Sequence, residues 1–259
     1  MKVVATVESR MASSRLPGKN ARPVLGRPMM ARLLERLRRA ETVDTVCVAT
    51  TTEPADDELE RIAHEAGADV FRGSTDDVLG RVLGALQACG GDLLVEITGD
   101  CPLVDPRIVD AAVARYASGG YDYVANILDE LTFPIGFDVQ VYSAALLSEI
   151  AGLTTDPGDR VDVTPFIYRN PQRYRLLNLR APAELDRPGY RLCVDYPEDF
   201  EVLTEIFGAL HRDGEVFSAR DVVAFLDRRP DLARHNTRRD GLFGCPSSGG
   251  AAAQEVMAL

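Results

Sequence analysis

Short apolar runs and apolar-striped helical stretches take turns through the first half of the chain. The run over residues 3–7, Val3-Val4-Ala5-Thr6-Val7, is unbroken and short enough to be a buried strand. A loop follows. Pro28 then opens a helix whose Met30, Leu33, Leu34 and Leu37 make one stripe. Residues 45–50 form the second predicted strand. A helix over 54–66 carries Leu59, Ile62, Ala63 and Ala66, and Gly67 closes it. The pattern continues with a short strand at 70–71 and a helix over 76–88 bearing Val78, Leu79, Val82, Leu83 and Leu86. A strand at 93–97 and a helix capped by Asp105 and opened by Pro106 complete it. Strand and helix in strict alternation mean βαβ units, hence an α/β fold around a mainly parallel sheet.

From about residue 121 the alternation loosens. Strands are predicted at 121–125, 137–141, 175–179 and 190–194, and helices at 144–151 and 162–169. A further helix runs through Leu210, and a last one starts at Ser218, where Asp221 completes a capping-box-like pair. The chain has no internal repeat. The expected organisation is one domain over 1–244, with 121–180 as a small inserted region. The small-residue, low-complexity stretch 245–259 is expected to be a disordered tail.

Composition narrows the class. The chain has 259 residues, 46% hydrophobic and 27% charged, which suits an ordinary globular protein. No apolar run approaches membrane-spanning length, and the first residues enter a strand at once, so neither a membrane anchor nor a signal peptide is expected. The five cysteines (47, 89, 101, 193 and 245) are scattered and never form C-x-x-C. That favours reduced thiols in a cytoplasm over disulfides or a zinc site. The three histidines lie far from any Ser or Cys motif, so a hydrolase triad is not expected; His64 falls on a polar helix side.

Charge is divided unevenly. Residues 1–39 hold ten Lys or Arg and only two acids, Glu8 and Glu35, a balance of +8 in a chain whose net charge is −11. A cationic mouth on an acidic body suits a small anionic ligand better than a nucleic-acid groove. Arg36, Arg38 and Arg39 are read as a solvated helix face. Arg10, Arg15 and Lys19 instead fall between strand and helix, in Arg10-Met11-Ala12-Ser13-Ser14-Arg15-Leu16-Pro17-Gly18-Lys19. Such a loop can wrap a polyphosphate, because small residues let the backbone approach and the cations neutralise charge. Neither the Walker nor the dinucleotide glycine spacing is present.

Ligands of open parallel sheets bind beyond the carboxyl ends of the strands. Asp100 and Asp195 follow predicted strands and therefore belong there with the loop. Each alone is more readily a turn or cap residue. Facing a phosphate loop together, they could hold Mg²⁺, which takes one or two carboxylates plus phosphate oxygens.

Several segments carry a resemblance. The Arg10–Lys19 stretch resembles the R-x-x-S-x-R-L-P-x-K element of the CMP-sugar synthetases, and most nearly that of the spore-coat-polysaccharide-type cytidylyltransferases. Ala49-Thr50-Thr51-Thr52-Glu53-Pro54-Ala55-Asp56-Asp57, Phe71-Arg72-Gly73-Ser74-Thr75-Asp76-Asp77-Val78-Leu79, Thr98-Gly99-Asp100-Cys101-Pro102-Leu103 and Val194-Asp195-Tyr196-Pro197-Glu198-Asp199 resemble further motifs of that family, in order. The resemblance spans about residues 1–228. It implies a glycosyltransferase-A-like three-layer fold and a nucleotidyltransferase that uses CTP and Mg²⁺. By the same resemblance, Arg10, Arg15 and Lys19 would meet the triphosphate, and Asp100 and Asp195 would bind the metal. Ser13, Ser14, Gly18 and Thr98, with the Ser74–Asp77 segment (Ser74, Asp76 and Asp77 in particular), would contact the nucleotide.

The acceptor side differs from the resembled pattern. Thr132-Phe133-Pro134-Ile135-Gly136-Phe137-Asp138-Val139 has Ile135 where Arg is common, and Asp159-Arg160-Val161-Asp162-Val163-Thr164-Pro165 has Asp162 where His is common. Gly136, Asp138 and Asp162 are the acceptor candidates. Both changes lower positive charge, unless they are drift on an outer surface. Glu8 also stands where Gln or a small residue is usual. A sugar acid, polyol phosphate or phosphonate is the expected acceptor, and a homodimer the expected assembly, with 133–138 and 159–164 at or near its interface. A glycosyltransferase of the same fold and a non-catalytic nucleotide-binding module are the alternatives; of the three, only the nucleotidyltransferase releases pyrophosphate.

Overall fold

The computed structural model describes residues 1–237 and 246–259, so Cys245 and the end of the expected 1–244 domain lie outside the described residues. In chain order the elements are β1 (Val3–Glu8), a 3-10 turn (Lys19–Ala21), β2 (Pro23–Val24), β3 (Arg27–Pro28), α1 (Met29–Leu37), β4 (Thr45–Thr51), a 3-10 turn (Pro54–Asp56), α2 (Asp57–Glu65), β5 (Asp69–Gly73), α3 (Val78–Ala88), β6 (Leu93–Thr98) and α4 (Pro106–Ala117). There follow β7 (Tyr123–Ala125), β8 (Gln140–Ser143), α5 (Ala144–Leu153), α6 (Pro157–Asp162), α7 (Pro165–Tyr168), β9 (Leu176–Arg180), α8 (Pro197–Leu210), α9 (Ala219–Asp227), α10 (Pro230–Ala233) and β10 (Ala253–Val256).

Eight strands form one sheet in the order β10-β9-β7-β8-β6-β1-β4-β5. Only β8 runs antiparallel to its neighbours, β6 and β7; the other pairings are parallel. Alternate residues of the central strands feed opposite cores. Val3, Ala5 and Val7 of β1 pack with α1, α2, α4, α8 and α9, whereas Val4 packs with α3, α5 and α7. Helices on both faces of a mostly parallel sheet make the expected three-layer sandwich. Its first half follows the hydrophobic pattern closely, including the cap Asp105, which accepts the Arg107 N–H at 2.8 Å; later in the chain Ser218 opens α9 through its capping box with Asp221, as expected.

Several expectations need correction. Residues 190–194 do not form a ladder strand; Arg191 makes one isolated parallel bridge to Ile135. The helix expected over 162–169 is broken into α6 and α7. Val163 adopts φ +60°, rare for a β-branched residue, and Pro165 opens the second piece. The strand expected at 137–141 begins three residues later, at Gln140. Arg36 is buried, not solvated: its guanidinium donates to the carbonyls of Val104 (2.9 Å), Leu103 (3.2 Å) and Phe217 (3.0 Å) and lies 4.4 Å from the Phe217 ring centroid. Its stem fills apolar space while its head satisfies otherwise unpaired carbonyls. Burial lowers its pKa to about 10, so it stays charged near neutrality.

The stretch from 246 is not a disordered tail. Asp129 accepts hydrogen bonds from the Ser248 N–H (2.7 Å) and hydroxyls, Ala252 and Met257 are buried, and β10 adds to the β9 edge. Phe133 and Phe137 lie in the chain's own core. Among the described residues, no helix is long and apolar enough to cross a membrane.

Candidate active site

The Arg10–Lys19 loop leaves the carboxyl end of β1 and is pinned from below. Asn20, fully buried, donates to Ser9 Oγ (2.8 Å) and to the Arg10 carbonyl (2.9 Å). Asp56 accepts the Met11 N–H at 2.7 Å. Ser13 Oγ accepts the Leu16 N–H, and Leu16 is buried. These anchors fix the loop without using its cations. Gly18 takes φ +67° at the start of the 3-10 turn, and a Cβ there would meet nothing within 4 Å. The positive φ is what glycine contributes to the turn.

Loop and strand ends enclose a cleft of about 590 Å³. Arg10, Ser13, Ser14, Arg15, Lys19, Asp76, Thr98, Asp100 and Asp195 all line it; Gly18, Ser74 and Asp77 do not. The Ser74 hydroxyl accepts the N–H groups of Asp76 and Asp77. Asp77 caps α3 through Gly80 and pairs with Arg160, tying α6 to α3. Thr75 and Asp76 are the residues of that segment that face the cleft.

Lys19 sits between the two carboxylates. Its Nζ lies 3.1 Å from Asp195 Oδ1, 3.8 Å from Asp100 Oδ2 and 2.6 Å from the Val194 carbonyl. Arg15 also reaches Asp195 Oδ1, at 2.6 Å. Burial works against the ionised form of Asp195, but Lys19 and Arg15 outweigh it and hold the carboxyl below its usual range. Beneath it, the buried Arg191 joins Asp195 Oδ2 (3.1 Å) to both oxygens of Asp199 (2.9 and 3.1 Å), and Asn236 donates to Asp199. The Asp100 carbonyl accepts the Val194 N–H at 2.8 Å, which locks the two carboxylate-bearing segments together.

A second cavity of about 290 Å³ opens beside the first, and the two share Glu8, Thr98 and Asp100. Two of the three acceptor candidates, Asp138 and Asp162, line it together with Ile135. Gly136 does not. At φ +106° a Cβ would lie 2.6 Å from the Cys193 backbone nitrogen, so Gly136 lets the chain pass close at the Ile135–Arg191 bridge.

Two contributors escaped the sequence reading. Arg81 is buried on α3, donates to the carbonyls of Ala49 and Ser74, and lines the larger cleft. Glu96, in the middle of β6, accepts from Tyr142 and from Gln140 Nε2. An arginine three residues after Val78 and four before Ala85, inside an apolar stripe, was the available signal for Arg81.

Burial, reinforced by Glu96, pushes Glu8 well above the usual carboxylate range against the pull of Arg81. Burial likewise pushes Glu96 up to about 8 and Asp138 up to about 6. The folded chain thus keeps protons that the unfolded chain gives up near pH 4. This stabilisation is complete below the unfolded carboxylate range and is lost as pH rises through about 6 to 8. The Tm of the ligand-free protein should therefore fall across that window, at a rate of up to about 1.4 kcal/mol per pH unit for each retained proton. Melting curves of the wild type and Glu96→Gln check this: the variant's profile should be flatter, and a wild-type Tm that climbs from pH 6 to 8 would contradict it.

Comparison with known proteins bears on the same site. A family model described as cytidylyltransferase matches residues 4–223. An uncharacterized protein of Methanocaldococcus jannaschii is 32% identical, covering 92% of this chain and 95% of its own. The spore coat polysaccharide biosynthesis protein SpsF of Bacillus subtilis is 31% identical, covering 89% and 96%. Among solved structures, a cytidylyltransferase from Leptospira borgpetersenii superposes with a TM-score of 0.84 at 33% identity, covering 90% of this chain and 97% of that one.

Proposed function

Since the chain belongs to the cytidylyltransferase family and is a nucleotidyltransferase, we propose that it transfers CMP from CTP to an oxygen of a small acceptor, a sugar acid, polyol phosphate or phosphonate, with release of pyrophosphate. The observation that carries this reading is the convergence of Arg10, Arg15, Lys19, Asp100 and Asp195 on one cleft that continues into a second cavity at Asp100. Two substrates can meet there without either crossing the other.

The donor set fits a divalent cation. Asp100 presents a partly exposed carboxylate to the cleft, and Asp195 is held ionised opposite it, with a cation already drawn between them in the form of Lys19. Two carboxylates plus phosphate oxygens suit Mg²⁺. When bound, Mg²⁺ supplies neutralisation and alignment of the α-phosphate. Lys19 and Arg15, once their hold on Asp195 is relaxed by phosphate, point their charge at the leaving pyrophosphate, and Arg10 adds a third cation at the mouth. Transfer of this kind needs positioning and charge more than a covalent residue. The buried Arg191–Asp199 pair keeps Asp195 in place as these partners exchange.

A thermal-shift comparison tests the nucleotide. CTP with Mg²⁺ should raise the Tm more than ATP, GTP or UTP, and at a hundredfold over its Kd it should stabilise by about 2.7 kcal/mol. A larger shift with any other nucleotide would overturn the choice of base.

A further inference from the structure

The smaller cavity is built for hydrogen-bond donors. Glu8, Glu96, Asp100, Asp138 and Asp162 all line it, and no Lys, Arg or His stands among the described residues that do. Glu96 has donors from Tyr142 and Gln140, and Asp138 Oδ1 accepts the Gly136 N–H at 3.2 Å. Glu8 differs: its Oε2 is buried without a hydrogen-bond partner, at the seam where the cavity meets the cleft. A buried carboxyl oxygen left so is costly unless something supplies an N–H or O–H. A carboxylate or phosphate placed there would face five carboxyl groups and, among the described residues, no cation. The remaining wall mixes apolar Ile127, Leu131 and Ile135 with neutral Thr98, Gln140, Thr164 and Tyr168, and brings such an anion no balancing charge.

We propose, resting on the cytidylyl-transfer reading above, that the acceptor enters this cavity through a non-anionic, hydrogen-bond-donating head, an ammonium or a set of hydroxyls, with Glu8 Oε2 as its anchor. A phosphoryl or phosphonyl group that attacks CTP then lies at the seam near Asp100 and Lys19, outside the cavity. A sugar acid whose carboxylate must enter the cavity is excluded.

A size-matched six-carbon series reads this directly on the full chain by calorimetry: sorbitol, 1-amino-1-deoxysorbitol and gluconate. The amine and the neutral polyol should each bind at least tenfold more tightly than gluconate. Glu8→Gln, which keeps the shape but replaces one acceptor oxygen by a donor, should lose at least fivefold in affinity for the amine. Ile135→Arg with Asp162→His should move the preference towards gluconate. Gluconate binding as tightly as the others, or no binding by any of the three, overturns the proposal. The CTP shift is measured in parallel without acceptor. Its absence would remove the CTP reading while leaving the cavity result standing, and a normal CTP shift with gluconate preferred would remove the cavity proposal alone.

Discussion

Replacing Asp100 by Asn should lower turnover by at least about 100-fold and leave the fold untouched. The scale is that of removing one preorganised electrostatic partner of a transition state. The structural indifference follows from the surroundings of Asp100. Its side chain is 26% exposed, with Lys19 no nearer than 3.8 Å and only the weak Cys101 thiol contact besides. Removing a charge from such a position usually changes stability by less than about 0.5 kcal/mol. Asp195→Asn should lose turnover as well, but not cleanly. Asp195 is 1% exposed and holds Arg15, Lys19 and Arg191 at once, so the substitution leaves buried cations short of a partner. Pyrophosphate release with CTP and a working acceptor, read beside melting curves, separates the two. Near-normal activity of Asp100→Asn at limiting Mg²⁺ would sink its assignment as a metal ligand.

Arg191→Met should cost about 3–5 kcal/mol, the largest loss of stability expected from any substitution near the site. Arg191 is 1% exposed in its side chain and bonds both Asp195 and Asp199, which are themselves 1% exposed. Breaking a buried pair from one side leaves a buried charge short of its counter-charge. Asp199 would be left with neutral donors, Asn236 and the Asp195 and Tyr196 N–H groups, while Asp195 would keep Lys19 and Arg15. Urea titrations measure the effect, and it should fall sharply in Arg191→Met with Asp199→Asn, where the demand on position 191 is smaller. A single variant within about 1 kcal/mol of wild type would mean that Asn236 and the loop cations hold Asp195 and Asp199 without Arg191.

What the sequence revealed follows from where the hydrophobic period was strong. Residues 3–117 alternate buried strands with one-sided helices, so burial alone dictates the element type there. Cations in a strand-to-helix loop, with acids after strands, were equally readable, because parallel topology sends both to one sheet edge. The losses have physical causes. Leu192 and Val194 are buried as a strand's residues would be, yet their segment makes one bridge, since Gly136 and Ile135 approach it only locally. Val163 sits in a left-handed conformation that its own side chain disfavours, so no propensity could announce the break between α6 and α7. Arg36 and Arg81 look like surface residues by type, and only the carbonyls that their guanidinium groups meet, brought in from distant segments, explain their burial. The anionic character of the second cavity was legible in part from Asp138 and Asp162. Glu96 joined them only through strand register, which sets it opposite Gln140 of β8.

Strand β10 gives the chain's last residues a protective duty. It covers one side of β9, with Arg115 bonded to Glu255 and Met257 buried behind it. Without it, the sheet's edge would pass from the short, polar β10 (Ala-Gln-Glu-Val) to the more apolar β9 (Leu-Leu-Asn-Leu-Arg), a better template on which a second molecule can lay down a strand. Shortening the protein before Ala253 therefore trades a polar sheet margin for a more adhesive one. A fusion partner is better joined at the exposed Met1, away from that seam.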